Sequence, residues 1–180
     1  MQLNDKKETV VSISMLKLNV ICFLLGIVLY FGIQVLHILL YGKASLTITF
    51  SGFLLFMIAL ILIVCIHEAI HLIGFRYIGS VPWNQLAWGV NIKLGMAYAH
   101  AKLPIKVVDM KKVLLLPLIP TGILPLVLGL VLNNPAISIL GVILTIGSFG
   151  DLALYRKLLP FPNEALVIDH PTDPKFTVYV

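Results

Sequence analysis

Four long apolar segments constrain the fold of this 180-residue chain more than any other feature of its sequence. Each is close to the ~20 residues that a helix needs to cross the hydrocarbon core of a membrane. Only 12% of the residues are charged, and soluble domains carry about twice that share. We therefore predict an all-α membrane protein that forms a single domain over residues 1–180. Its four transmembrane helices are expected at residues 18–41, 51–75, 113–132 and 135–155.

Basic residues divide the connecting segments into two groups. The N-terminal tail, the long loop between the second and third spans, and the C-terminal tail hold every lysine and arginine except Lys43. Cytoplasmic segments of membrane proteins are enriched in these residues. We therefore predict a multi-pass protein of the cell membrane with both termini and the long loop in the cytoplasm. We attribute the net charge of +5 to residues that set the membrane topology and attract lipid headgroups. We therefore expect the lipid bilayer as a partner and do not expect nucleic acid.

The long loop contains two stretches, 86–93 and 96–102, on either side of Leu94 and Gly95. Short runs that flank a glycine-containing turn are typical of a β-hairpin, which would lie in the cytoplasmic loop between the second and third spans. An interfacial loop is the alternative, because Trp83 and Trp88 would suit the depth of the lipid headgroups. The sequence leaves both interpretations open.

The third span is interrupted by Pro117, Pro120 and Pro125. Proline lacks a backbone donor and kinks a helix, but membrane helices tolerate it where neighbouring groups satisfy the freed carbonyls. We favour an ordinary bend. The alternative is a broken helix that leaves room for water or substrate.

The second span carries His67-Glu68-Ala69-Ile70-His71 directly after a run of apolar residues. Residues four apart lie on one face of a helix, so both imidazoles can reach one Zn²⁺. Glu68 can then act as the general base that takes a proton from the attacking water. Ionisable groups at this depth are costly and normally functional, which favours a metal site over a structural polar cluster.

A hydrolytic zinc site needs a third protein ligand and one open position. Asp151 is the leading candidate, because the second and fourth spans run in the same direction and each carries its polar site near the cytoplasmic end. Gly147 and Gly150 would let the fourth span approach its neighbour closely. The alternative is that Asp151 caps a short helix that begins at Leu152. Other candidates for the third ligand are His100, Glu164, Asp169 and His170.

Two further histidines have other expected roles. His100, in the predicted hairpin, could orient a substrate or stabilise a developing oxyanion instead of binding the metal. His37, in the first span, is expected to be packed and hydrogen-bonded rather than a metal ligand.

These elements together resemble the Putative zincin peptidase family of small bacterial membrane proteins. The resemblance extends from about Phe53 to the C-terminus and is carried by the motif at 67–71, Ala97–Lys102, Gly150-Asp151-Leu152 and Asp169-His170-Pro171. A more distant likeness is to the site-2 proteases, which implies His67, His71 and Asp151 as ligands and Glu68 as base. Site-2 proteases usually set their aspartate in Asn-Pro-Asp-Gly or Leu-Asp-Gly, whereas this chain has Gly-Asp-Leu-Ala. Intramembrane cleavage is therefore implied by analogy alone.

We predict a membrane-embedded, zinc-dependent metalloprotease that hydrolyses a peptide bond by metal-activated water near the cytoplasmic side of the bilayer. Its expected substrate is a peptide or a membrane protein. The alternative is a catalytically inactive zincin that acts as a metal-stabilised membrane partner or assembly protein. A transporter or channel is disfavoured, because the chain has no internal repeat and no polar pathway along its spans.

Overall fold

The computed structural model describes residues 7–91, 96–170 and 175–180. Its α-helices are α1 (Met15–Tyr41), α2 (Phe50–Tyr77), α3 (Val107–Leu115), α4 (Leu124–Val131), α5 (Pro135–Gly147) and α6 (Phe149–Leu158). Its strands are β1 (Glu8–Ser12), β2 (Leu86–Asn91), β3 (Met96–Ala101), β4 (Ile105–Lys106), β5 (Leu166–Asp169) and β6 (Lys175–Tyr179). A 3-10 helix at Trp83–Gln85 precedes β2, and a π-helix at Leu118–Ile123 precedes α4.

Among the described residues, four helical stretches are long and apolar enough to cross a membrane, which confirms the predicted spans. They are Met15–Tyr41, Phe50–Tyr77, Val107–Val131 and Pro135–Leu158. The third begins at Val107 rather than at the predicted Val113. Its first turns are amphipathic: Val107 and Met110 are buried, and Asp109 forms an ion pair with Lys112 at 3.5 Å. The charged residues in these turns lower the local hydropathy, so a boundary placed by hydropathy falls after the true start of the helix.

Local residues explain where α1 ends and where α5 begins. α1 ends at Tyr41, and Gly42 then adopts a φ of 75°, the left-handed conformation that terminates many helices. α5 begins at Pro135. N–H groups in the first turn of a helix have no acceptor within the helix, so the absence of this group in proline costs no hydrogen bond. The Asn134 side chain accepts hydrogen bonds from the amides of Ala136 and Ile137, as an N-cap residue does.

The prolines of the third span produce a π-helix instead of an ordinary bend. α3 ends at Leu115, and the wider π-helical turn covers Leu118–Ile123 before α4 begins. Proline cannot donate to the carbonyl four residues earlier, so the regular hydrogen-bond ladder cannot pass through Pro117 and Pro120. Such π-helical segments are frequent at functional sites.

One compact unit, here called the helical unit, comprises residues 15–67 and 117–149. Within it α4 and α5 approach closely, since a Cβ added to Gly141 would lie 2.2 Å from the backbone nitrogen of Leu126. Small residues allow membrane helices to pack in this way. His37 is fully buried in this unit, and its Nε2 lies 2.9 Å from Oγ of Ser138. The prediction of a packed, hydrogen-bonded His37 is therefore confirmed.

The second compact unit, here called the sheet unit, comprises the described residues within 1–14, 68–116 and 150–180. Four antiparallel strands form its main sheet in the order β1-β6-β5-β4. Its core is apolar and includes Val107, Val113, Val167, Phe176 and Val178, each at most 2% exposed. This sheet was not predicted from the sequence. It joins the N-terminal tail, the long loop and the C-terminal tail, the three segments that the charge pattern assigns to one side of the membrane.

The predicted β-hairpin is confirmed by the antiparallel pairing of β2 with β3, in which Leu86 lies opposite Ala101 and Asn91 opposite Met96. Its turn, predicted at Leu94 and Gly95, lies outside the described residues. Trp83 and Trp88 remain exposed. The prediction of a single domain stays a prediction.

Candidate metal centre

His67 and His71 lie one turn apart on α2, a helix that is continuous from Phe50 to Tyr77. His71 is buried, whereas His67 and Glu68 are half-buried. The boundary between the two compact units falls inside this helix, after His67. The helix itself therefore sets the position of His67 relative to His71, and the four-residue spacing places both rings on one face. Glu68 follows His67 at a rotation of about 100° around the helix axis.

Asp151 lies in the first turn of α6. The helix begins at Phe149, so the alternative in which Asp151 caps a helix starting at Leu152 is wrong. Oδ2 of Asp151 is 3.4 Å from Nε2 of His71. One potential ligand atom from each of His67, His71 and Asp151 lies within 4.8 Å of the others. The structure thus brings the three predicted ligands together, and their role as ligands stays a prediction.

A backbone carbonyl orients the ring of His71. Nδ1 of His71 donates to the carbonyl oxygen of Val113 at 3.1 Å. In a regular helix that carbonyl would accept from the amide four residues later, but this position is Pro117, which has no N–H. The amide of Leu116 makes only a 3.3 Å contact with the same oxygen. The proline thereby leaves the Val113 carbonyl available to the histidine.

A hydroxyl group orients the ring of His67. Nδ1 of His67 lies 3.0 Å from Oγ1 of Thr121. Thr121 is 1% exposed, and its hydroxyl donates its single proton to the carbonyl of Pro117 at 2.6 Å. Because that proton is already used, Thr121 accepts the contact with His67, and Nδ1 must be the donor.

Both histidines therefore carry their proton on Nδ1, which makes Nε2 the atom with the lone pair that a metal requires. Two neutral imidazoles and one carboxylate form a donor set typical of catalytic zinc sites, which retain an open position. Ligand atoms bound to tetrahedral zinc lie about 3.3 Å apart, and the Nε2–Oδ2 distance of 3.4 Å between His71 and Asp151 agrees with that value. The residues present fit a zinc ion.

The other candidate ligands occupy different positions in the sheet unit. Nδ1 of His100 lies 3.3 Å from Oδ2 of Asp169. Glu164 is exposed and forms a 2.6 Å ion pair with Lys106, an interaction that raises the pKa of the Lys106 ammonium. The backbone amide of His170 bonds to the carbonyl of Lys175. Within residues 7–91, 96–170 and 175–180, the structure places none of these four side chains in the group formed by His67, His71 and Asp151.

Two groups that contact the histidines of the centre, the Thr121 hydroxyl and the Val113 carbonyl, were not predicted from the sequence. A signal for the second was present, because Pro117 stands four residues after Val113 and removes the usual partner of its carbonyl. Nothing in the local sequence distinguishes Thr121 from an ordinary helix threonine. Its contact with His67 depends on the register of the π-helix.

Replacing Thr121 with valine is expected to weaken zinc binding by about 10- to 100-fold, because partners that orient metal-binding histidines typically contribute that much. Valine keeps the shape of the side chain and removes its hydroxyl, so the proton position on His67 is no longer specified. Competition with a fluorescent zinc chelator measures the effect. Thr121→Ser is the matched control and should retain most of the affinity. Wild-type affinity in Thr121→Val would show that the hydroxyl does not support the metal.

The described residues combine four helices able to cross a membrane with a group of two helical histidines and one aspartate that could hold a metal ion, and these two features define the class of protein. The chain belongs to the Putative zincin peptidase family, whose sequence model matches residues 60–166. That range includes His67, Glu68, His71, Thr121 and Asp151. No curated protein and no solved structure matches the chain.

Proposed function

We propose that this protein is a membrane-embedded zinc metallopeptidase that hydrolyses a peptide bond near the cytoplasmic side of the bilayer. The observation that carries the proposal is the convergence of His67, His71 and Asp151 beside Glu68. A purely structural zinc site usually has four protein ligands and needs no adjacent base. Three ligands with a neighbouring carboxylate are the composition of a hydrolytic site.

Each residue has a defined part in the proposed reaction. His67, His71 and Asp151 would hold the zinc ion, which when bound polarises a carbonyl and lowers the pKa of water. Thr121 and the Val113 carbonyl keep both imidazoles in the tautomer that binds metal. Glu68 accepts a proton from the attacking water and delivers it to the leaving amine as the peptide bond breaks.

The proposed cytoplasmic location of the site rests on charge and on the sheet. β1, β4, β5 and β6 come from the N-terminal tail, the long loop and the C-terminal tail, and strands paired in one sheet lie on one side of a membrane. These same three segments carry all lysines and arginines except Lys43. The positive-inside rule assigns such segments to the cytoplasm.

The β2–β3 hairpin supports a peptide or a membrane protein as substrate. Among the described residues its sheet has only these two strands, so each strand has an edge to which an extended peptide could add. Strand addition recognises backbone groups and holds a peptide bond in extended form. We therefore propose an extended segment of polypeptide as the class of substrate.

Removal of the metal tests the proposal. Protein purified in detergent should contain about one zinc ion per chain and should cleave members of a mixed peptide library, as detected by mass spectrometry. Treatment with 1,10-phenanthroline should abolish cleavage, and added zinc should restore it. Protein that binds no zinc, or that cleaves equally well after chelation, would overturn the proposed function.

A further inference from the structure

Three exposed apolar side chains lie on the segment that joins the end of α2 to β4. Trp83, Trp88 and Val90 are 54%, 73% and 64% exposed. Trp88 and Val90 are two residues apart on β2, so their side chains point to the same face of the hairpin. The residues opposite them on β3 are Ala99 and Ala97, whose methyl groups are too small to cover them. The mechanism described above uses none of these three side chains.

Both ends of this segment are fixed at the end of α2, within the sheet unit. Where the chain enters the segment, the amide of Val81 donates to the carbonyl of Phe75 at 3.0 Å. Where the chain leaves it, Ile105 packs on the backbone just after α2, since a Cβ added to Gly79 would lie 3.1 Å from Cγ2 of Ile105. Val81 and Ile105 are both buried. The base of the hairpin therefore cannot move away from the end of the helix.

The length of α2 sets the depth of that base in the bilayer. The helix has 28 residues and is therefore about 42 Å long. The hydrocarbon core is about 30 Å thick, so the last residues of the helix reach the headgroup layer. Val81 is bonded to Phe75, two residues before the helix ends, and lies at a similar depth. Trp83 follows Val81 by two residues, which span at most about 7 Å, so Trp83 lies beside the headgroups.

The charge of this region complements an anionic membrane surface. Residues 69–105 contain no aspartate or glutamate, and their lysines and arginines are Arg76, Lys93 and Lys102. The amide of Lys102 donates to the carbonyl of Gln85 at 2.9 Å, which places Lys102 at the base of the hairpin near Trp83. Basic residues next to exposed tryptophans are typical of segments that contact anionic lipids. A second copy of the chain would instead bring like charges together.

We propose that this segment docks on the anionic headgroup layer of the membrane, with Trp83, Trp88 and Val90 embedded at the boundary with the acyl chains. Tryptophan favours that boundary because its ring is apolar and its N–H can still find a polar partner. Lipid then removes from water the apolar surface that the protein itself leaves exposed. The inference concerns the position of the hairpin and goes beyond the proposed hydrolysis, on which it does not depend.

Quenching by brominated lipids measures the depth of each tryptophan. The chain has two tryptophans, so Trp83→Phe and Trp88→Phe each leave a single emitter. The full chain is reconstituted into vesicles of phosphatidylcholine and phosphatidylglycerol in equal amounts, with bromine either next to the headgroup or near the end of the acyl chain. Wild type and both variants should lose about half of their emission to the shallow bromine, because interfacial tryptophans lie at headgroup depth. The deep bromine should quench clearly less.

Leu62→Trp, in a chain that lacks both native tryptophans, is the matched control. Leu62 is exposed and lies near the middle of α2, so the deep bromine should quench this emitter more than the shallow one. Vesicles of phosphatidylcholine alone test the role of charge. In them the shallow bromine should quench Trp88 less than in the anionic vesicles, because the attraction of the basic residues to the headgroups is lost.

Three results would overturn the proposal. Emission that neither bromine position quenches would place the tryptophans in water or against another protein chain. Stronger quenching by the deep bromine would place the segment inside the hydrocarbon core. Equal shallow quenching with and without phosphatidylglycerol would show that anionic headgroups are not the partner. These measurements require neither zinc nor cleavage, so each of these results would leave the proposed function untouched.

Discussion

Glu68→Gln is expected to leave zinc bound and to reduce peptide hydrolysis by about 10²- to 10⁴-fold, the usual contribution of a general base. Glutamine matches the shape of glutamate but cannot accept the proton of the attacking water. Because Glu68 is outside the group that the structure brings together for the metal, the amount of bound zinc should not change. Mass-spectrometric cleavage assays and elemental analysis of the same preparation measure both quantities.

Glu164→Gln is the control for this substitution, since it removes a carboxylate of the same type at an exposed position and should retain full activity. Cleavage by purified Glu68→Gln at the wild-type rate would exclude Glu68 as the base. The alternative, a catalytically inactive zincin, predicts another combination of results. In that case zinc binds, wild-type protein cleaves nothing, and Glu68→Gln leaves the cellular phenotype unchanged.

His71→Ala is expected to abolish stoichiometric zinc binding, with a loss of affinity larger than the roughly 10- to 100-fold effect of an orienting partner. His71 is the buried member of the group, and its Nε2 is the atom next to Asp151. His67→Ala and Asp151→Asn should show losses of similar size, because a three-ligand site cannot replace a missing donor with another side chain. Metal content after dialysis and chelator competition measure the losses.

His170→Ala is the control for the ligand set, because this histidine is an alternative third ligand that the structure does not place in the group. It should bind zinc as wild type does. Full zinc affinity in Asp151→Asn combined with loss in His170→Ala would show that the third ligand was assigned incorrectly, while the two histidines of α2 would remain ligands.

The spans and the hairpin could be predicted because their signals are local. An apolar run of about 20 residues has few alternatives to a membrane helix, and two short stretches around a glycine turn pair with each other. The four-stranded sheet could not be predicted in the same way. β1 pairs with β6, so residues 8–12 meet residues 175–179, and β4 has only two residues. Such strands carry almost no pattern of their own.

The residues of the candidate site likewise differ in whether a local sequence signal could identify them. His67 and His71 were identifiable because the helix repeat alone brings residues four apart to one face. Asp151 was a candidate only through an argument about depth, and its 3.4 Å contact with His71 depends on how α2 and α6 pack within the sheet unit. Thr121 had no signal, because its contact with His67 requires the π-helical turn that the prolines of the third span produce.

The sequence by itself determined four apolar spans, the motif His67-Glu68-Ala69-Ile70-His71 and the uneven distribution of charge among the connecting segments, since each depends on composition or on spacing within one helix. Tertiary structure alone decided which carboxylate joins the histidines, which groups set their tautomers, and that His100 pairs with Asp169. These contacts join residues distant in the chain. Their geometry follows from packing and from the hydrogen bonds that proline leaves unmade, and a linear pattern does not encode either.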